Sequence, residues 1–258
     1  MDSRAKAFLR LLDIMDDLRE KCPWDRKQTM DSLSPLSIEE TYELTDAILE
    51  KDMPGIKEEI GDLMLHLVFY AKIADEQKEF TITEVLNDLC DKLIRRHPHI
   101  YGDTKVDGED QVKENWEQIK MKEKKGEKKS VLSGVPISLP ALIKAYRMQD
   151  KAKQVGFEWD TIEQVWKKIE EEQAELKEAQ ANLNQAEIEA EFGDLLFAMV
   201  NLSRYLNIDP ERALELTNKK FKRRFEFIES SAQKSGDQLK DMSLEEMDAL
   251  WNEAKLGE

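Results

Sequence analysis

The feature that most constrains this chain is an internal repeat of acids. Glu39-Glu40-x-x-Glu43 followed by Glu59-x-x-Asp62 recurs as Glu171-Glu172-x-x-Glu175 followed by Glu191-x-x-Asp194, every acid displaced by the same interval, that from Glu39 to Glu171. The apolar context travels with them, since IGDLMLHLV after Glu59 corresponds to FGDLLFAMV after Glu191. Landmarks on either side recur in order: Trp24-Asp25 with Trp159-Asp160, Lys92-x-x-Arg95-Arg96 with Lys220-x-x-Arg223-Arg224, and Trp116-x-x-x-Lys120 with Trp251-x-x-x-Lys255. Their displacements differ from that of the acids by only a few positions, as expected where only loops have changed length. A sequence that repeats on this scale has to fold the same unit twice.

That unit reads as helical. Apolar residues recur at three-to-four spacing in Phe8, Leu11, Leu12, Met15 and Leu18, in Leu63, Leu67 and Tyr70, and in Leu195, Met199 and Leu202. Period-two runs rich in β-branched residues are missing, and no proline falls between Pro140 and Pro210, so long helices are allowed there. The expectation is an all-α tandem duplication, with helix breaks near CPWD, Asp52-Met53-Pro54-Gly55, His97-Pro98-His99, GVPISLP and Asn207-Ile208-Asp209-Pro210. The domain organisation expected is residues 1–119 for the first repeat, 120–140 for a Lys-rich linker, and 141–258 for the second repeat. Lys120, Lys122, Lys124, Lys125, Lys128 and Lys129, followed by Gly134, Pro136 and Pro140, have the composition of a solvated connection.

Placed on helices, the acids form stripes. At about 100° per residue, Glu171, Glu172 and Glu175 lie near 0°, 100° and 40°, and Glu191 and Asp194 sit three apart on the next helix. In an antiparallel hairpin, facing residues have numbers symmetric about the turn. Glu175 with Glu191 and Glu172 with Asp194 both centre on 183, where Asn182-Leu183-Asn184 is a plausible turn. Glu43 with Glu59 and Glu40 with Asp62 both centre on 51, beside Pro54-Gly55. Each hairpin is therefore expected to oppose four carboxylates, which raise one another's pKa values unless a cation neutralises them. A single Glu-rich helix is usually only a solvated face, but a duplicated, mirror-consistent pattern argues for a site. All-oxygen ligation favours Mg²⁺, Mn²⁺ or Ca²⁺ over zinc. The three histidines, His66, His97 and His99, all fall in the first half, which argues against Glu-x-x-His di-iron ligation in the second.

A metal held by carboxylates with basic residues downstream suits a phosphate ester or polyphosphate. Lys220, Arg223 and Arg224 share one helical face that could clamp phosphate oxygens, and Trp251 could stack on a base or simply pack. Gly-rich phosphate loops, GxSxG and HExxH do not occur. Lys plus Arg is 39 against 55 Asp plus Glu, a net charge of −16 that disfavours nucleic acid or an anionic membrane as the main partner. Two cysteines far apart, Cys22 and Cys90, and charges in every turn of the N-terminal segment fit a cytoplasmic protein that is neither exported nor embedded in a membrane.

At CPWD, EETYEL, EEIGDLML, KLIRRHPHIYGD, NWEQIK, SLPAL, VGFEWD, EEEQAEL, EFGDLLFAMVNLSRYL and KFKRRF, in that order, the chain resembles the MazG family of all-α nucleoside triphosphate pyrophosphohydrolases. The resemblance covers nearly the whole chain. It implies Mg²⁺-dependent hydrolysis of (d)NTPs to monophosphate and diphosphate by water attack at the α-phosphorus, with Mn²⁺ as a possible substitute. It also implies a homodimer and a housekeeping role in clearing unwanted nucleotides. By motif position it makes Glu172, Glu175, Glu191 and Asp194 the catalytic metal ligands, with Glu40, Glu43, Glu59 and Asp62 a second, weaker set. Lys168, Glu171, Lys220, Arg223, Arg224 and Trp251 would contact the nucleotide. In the family the C-terminal repeat is associated with activity. Leu36 and Phe69 stand in the first repeat where the second has Lys168 and Asn201, a departure that points the same way. Two other readings compete. One is an acidic helical scaffold that binds nucleotides or a partner without turnover; the other is a divalent-cation buffer that has no need of Lys220, Arg223 or Arg224.

Overall fold

Several helix boundaries follow from local chemistry. The computed structural model describes residues 2–109, 111–112, 115–116, 119, 123 and 130–257, and every regular element among them is helical. Lys120, Lys122, Lys124, Lys125, Lys128 and Lys129 lie outside the described residues. The chain divides into two compact units, Met1–Glu127 and Lys128–Glu258. None of the described helices is long and apolar enough to cross a membrane.

The first unit contains α1 (Ser3–Lys21), α2 (Met30–Glu50), α3 (Met53–Glu76), α4 (Ile82–Arg96) and the short α5 (Pro98–Tyr101). Thr29 and Ser32 form a reciprocal capping box that starts α2, and Thr81 and Glu84 form another for α4. Between α2 and α3 the chain reverses at Lys51, held left-handed at φ 57°, and Pro54 follows in the first turn of α3, where its missing N–H costs nothing. Pro35 sits inside α2 without ending it. The α2–α3 hairpin encloses a core of Met15, Leu33, Val68, Phe69 and Ile73, with Leu36, Leu65 and Tyr70 packed against it.

The second unit contains α6 (Ala141–Lys153), α7 (Ile162–Ala181), α8 (Gln185–Tyr205), α9 (Pro210–Ser235) and α10 (Leu244–Leu256). α7 and α8 form the counterpart hairpin and turn at Leu183, again left-handed at φ 53°. Lys51 and Leu183 are related by the same displacement as the acids, so the turn was copied with the site. α9 is capped by Asp209, whose carboxylate accepts from the N–H groups of Glu211 and Arg212, and it stops at Gly236 with φ 80°. The core of this unit is smaller, built on Val165, Ile169, Ala198 and Leu202 with Ile162, Leu195 and Tyr205 alongside.

The apolar periodicity of the two second helices divides between two faces. Tyr70 and Leu202 pack inward, whereas Leu67 and Met199 are exposed. Leu67 belongs with Ile60 and Met64, and Met199 with Phe192 and Leu196, in an outward stripe at i, i+4, i+7 on each hairpin. Members of both stripes are between 40% and 61% exposed.

Candidate active site

The two hairpins bring carboxylates together as trios. In the second unit, ligand oxygens of Glu172, Glu175 and Glu191 all lie within 4.8 Å of one another; in the first, those of Glu40, Glu43 and Glu59 do the same. Asp194 and Asp62, one turn after Glu191 and Glu59, fall outside these groupings. Asp194 instead lines a cavity that it shares with Glu172. Asp62 lies close enough to push up the pKa of Glu40.

The trios differ in what balances their charge. Glu172 is buried at 5% exposure, and Lys168, one turn earlier on α7, places its ammonium 2.7 Å from both Glu172 and Glu171. Those hydrogen bonds, to Glu171 first and then Glu172, hold the Lys168 ammonium far above the ordinary lysine range, so it stays charged. Glu175 is pushed above the usual carboxylate range by desolvation and then by Glu172 and Glu191. In the first unit Leu36 occupies the place of Lys168 and packs into the core. Desolvation and neighbouring carboxylates there raise both Glu40 and Glu59, and one oxygen of Glu59 is buried without a hydrogen-bond partner. Both trios consist of oxygen donors gathered around a point of strong negative potential, a donor set that fits a hard divalent cation.

Beside the second trio lies a cavity of about 570 Å³, in the usual range for a small-molecule site. Glu172, Asp194 and Lys168 form its polar end, Phe157 and Trp159 its exposed aromatic rim, and Gln149 with Ala198 its buried wall. Asn201 and Arg204 line it two and three turns beyond Asp194, on α8. The Arg204 guanidinium donates to Asn201 Oδ1 at 2.8 Å and to Glu158 at 2.7 Å, tying the loop before α7 to α8. The Tyr205 hydroxyl donates to the carbonyl of Trp159 and fixes the same loop. In the first unit, Phe69 takes the place of Asn201 and is 2% exposed, with the Arg19 guanidinium over its ring. Two positions that line the cavity with polar side chains in one repeat carry apolar side chains packed into the core in the other.

The remaining expected nucleotide contacts stand elsewhere in the second unit. Lys220, Arg223 and Arg224 lie on α9, which packs on α10 and α6, and none of the three lines the cavity. The Trp251 indole meets Phe221 at 5.3 Å between centroids and carries the Arg224 guanidinium 5.3 Å from its ring, so it packs within this cluster. Glu171 is exposed beside Lys168. Gln149, Phe157 and Arg204 also line the cavity, and an internal repeat does not mark them, because it marks only what is duplicated. The Leu36/Lys168 and Phe69/Asn201 differences were the available signal.

A model of the MazG nucleotide pyrophosphohydrolase domain matches residues 28–101 and 160–227, one copy in each unit. The chain is 48% identical over 253 residues to the nucleoside triphosphate pyrophosphohydrolase/pyrophosphatase MazG of Thermotoga maritima, covering 97% of this chain and 96% of that protein. It is 41% identical over 252 residues to the nucleoside triphosphate pyrophosphohydrolase of Escherichia coli K12, with 95% and 96% covered. An uncharacterized Bacillus subtilis protein, YabN, is 48% identical over 251 residues, which make up 96% of this chain and 51% of that one.

Proposed function

The chain belongs to the MazG nucleotide pyrophosphohydrolase family, and from that premise we propose that it hydrolyses (d)NTPs to (d)NMP and diphosphate in its second repeat, with Mg²⁺ as the cofactor and Mn²⁺ as a substitute. It is a hydrolase of phosphoanhydride bonds in nucleoside triphosphates. The observation that supports the assignment to the second repeat is the cavity beside Glu172, lined by Lys168 and Asn201, whose first-repeat counterparts Leu36 and Phe69 pack in the core.

Glu172, Glu175 and Glu191 would hold the metal from three positions of one hairpin, with Asp194 one turn further along at the cavity wall. When bound, Mg²⁺ polarises phosphoryl oxygens and lowers the pKa of water. The protein's part is to position and to accept a proton. Lys168 holds the buried Glu172 in place through its ion pair. A carboxylate of the site takes the proton from the attacking water as its oxygen bonds to the α-phosphorus. The bond from that phosphorus to the bridging oxygen breaks, and diphosphate leaves with the electron pair. Lys168 and Glu171 border the nucleotide, Lys220, Arg223 and Arg224 supply the basic face for its outer phosphates, and Trp251, packed on Arg224, contacts the nucleotide beside them. Glu40, Glu43, Glu59 and Asp62 form a second, weaker metal site without turnover.

The same reading gives a homodimer. Ile60, Met64 and Leu67 on one hairpin and Phe192, Leu196 and Met199 on the other leave six large apolar side chains on outward stripes, and a second copy of the chain would cover them. Helices of this composition fit a cytoplasmic, nucleotide-clearing role, with neither nucleic acid nor membrane as partner.

Product analysis tests the reaction. Purified protein is incubated with each NTP and dNTP and Mg²⁺, and monophosphate plus diphosphate is separated from nucleoside diphosphate plus phosphate. The expected result is monophosphate plus diphosphate, reduced at least about 100-fold in Glu172→Ala and retained in Glu40→Ala. Full turnover in Glu172→Ala would move the activity to the first repeat. No turnover with any substrate or divalent metal would favour a binding scaffold.

A further inference from the structure

The basic pair of the first repeat already holds an anion of the chain's own. Arg95 and Arg96 close α4, and both guanidiniums converge on the Glu123 carboxylate. Arg95 Nε donates to Oε1 at 2.7 Å, and Arg96 donates to Oε2 through Nε at 3.0 Å and through Nη2 at 2.6 Å. The side chains of Arg96 and Glu123 are only 19% and 21% exposed, which sets this contact apart from an ordinary ion pair in bulk water. Arg96 first and then Arg95 hold the Glu123 carboxyl at about 2, so it stays ionised. Two cations on one anion leave the clamp with positive charge in excess. A terminal phosphoryl group would bring three oxygens and more negative charge to the same donors, and guanidinium forks match it as well as they match a carboxylate.

Duplication indicates what such a pair binds. Lys92-x-x-Arg95-Arg96 is the first-repeat copy of Lys220-x-x-Arg223-Arg224, the basic face assigned above to the outer phosphates. Trp116, the copy of Trp251, keeps company with its pair as well. Its ring centroid lies 6.3 Å from that of His97, the neighbour of Arg96, while Trp251 lies beneath Arg224. We propose that Arg95 and Arg96 form an oligophosphate-binding site in the first repeat, that Glu123 is its resident occupant, and that inorganic diphosphate competes with Glu123 for it. The choice of diphosphate rests on the proposed reaction, which releases it in the second repeat. The repeat without turnover thereby responds to a product of the other. With Glu123 seated, its carboxylate is tethered to the end of α4; with diphosphate seated, that tether is let go, and Trp116, seven residues before Glu123, reports the change.

The test titrates the full chain with inorganic diphosphate in metal-free buffer and follows the part of the tryptophan emission that disappears in Trp116→Phe. That restriction separates the first repeat from diphosphate bound in the second. Glu123→Gln keeps the shape of the side chain and removes its charge, so half-saturation is expected at about a tenth of the concentration the unmodified chain needs. Arg95→Gln combined with Arg96→Gln should abolish the response. Sodium chloride at equal ionic strength, added to the unmodified chain, should not reproduce it. Equal half-saturation with and without the Glu123 charge, a response that survives loss of both arginines, or one that sodium chloride reproduces overturns the proposal. Turnover is read separately. Hydrolysis of (d)NTPs by a chain without the Trp116 response would keep the reaction and remove the clamp. The full response in a chain that hydrolyses nothing would keep the clamp and remove the reaction as the source of its ligand.

Discussion

At Glu172 a buried carboxylate has an ammonium 2.7 Å away, whereas at Glu40 the corresponding neighbour is Leu36, and the acids must settle the charge among themselves. Glu40 and Glu59 do so by moving their pKa values up, through desolvation first and mutual repulsion second. A carboxyl whose folded pKa is raised stabilises the fold relative to its ionised form only at low pH. That advantage is complete below the ordinary carboxylate value and is lost as pH climbs through the raised one. A divalent cation binds the ionised trio and should restore what is lost. Calorimetric scans are therefore expected to show a larger rise in Tm on adding Mg²⁺ at pH 7.5 than at pH 4.5, with the difference reduced in Glu59→Gln. An equal rise at both pH values would mean that the trios do not take the cation as carboxylates. These acids were legible in the sequence because identity, spacing and mirror symmetry about the turn are all written there. The partition into a tight trio and a separate Asp was not, since a helical wheel gives direction but not the side-chain reach that decides which oxygens meet.

Turns and caps carry predictions at the level of the element. Leu183 holds a left-handed backbone with a side chain that is 87% exposed, so the strain is offset by no packing. Leu183→Gly should stabilise the second unit by about 0.5–1 kcal/mol, the left-handed penalty less the glycine's greater unfolded freedom, read from the denaturant midpoint. Thr81→Ala removes a hydroxyl that accepts from the Glu84 N–H and should cost about 1 kcal/mol in the same measurement. On α4, Arg96 and then Arg95 hold the Glu123 carboxyl at about 2 by hydrogen bonding. With the folded value below the unfolded one, this pairing stabilises fully above about pH 4.5 and is lost as pH falls towards 2. Acid titration of the fold should accordingly be shallower over that window in Glu123→Gln. The expected breaks at Pro54, Pro98 and Pro210 and the turn at Leu183 coincide with helix ends, because prolines and short polar runs act locally. The break between α3 and α4, at residues 77–81, escaped the reading, since a Thr-Ile-Thr-Glu capping box without Gly or Pro looks like continuing helix.

For the whole molecule, the two outward stripes are the feature on which the proposed self-association is tested. Phe192→Glu with Leu196→Glu is expected to shift the sedimentation profile from dimer to monomer. Because each copy carries a net charge of −16, the proposed self-association should tighten as salt is raised. A profile indifferent to both changes would assign the stripes to something other than self-association. Periodicity alone had merged these stripes with the core, for Leu67 and Met199 fit the same three-to-four spacing as inward neighbours, and only packing separates the two faces. The constant displacement between the hairpins also bears on how the gene behaves. From Leu36 to Phe69 and from Lys168 to Asn201, turn, carboxylates and stripe keep identical spacing. Unequal crossing-over at any codon in that window would delete one full repeat interval in frame and join two half-hairpins into a whole one. Where the exchange falls after codons 36 and 168 and before codons 69 and 201, the recombinant keeps Leu36 and Asn201 but loses Lys168 together with Gln149, Phe157 and Trp159, so a hairpin is rebuilt without the wall of its cavity.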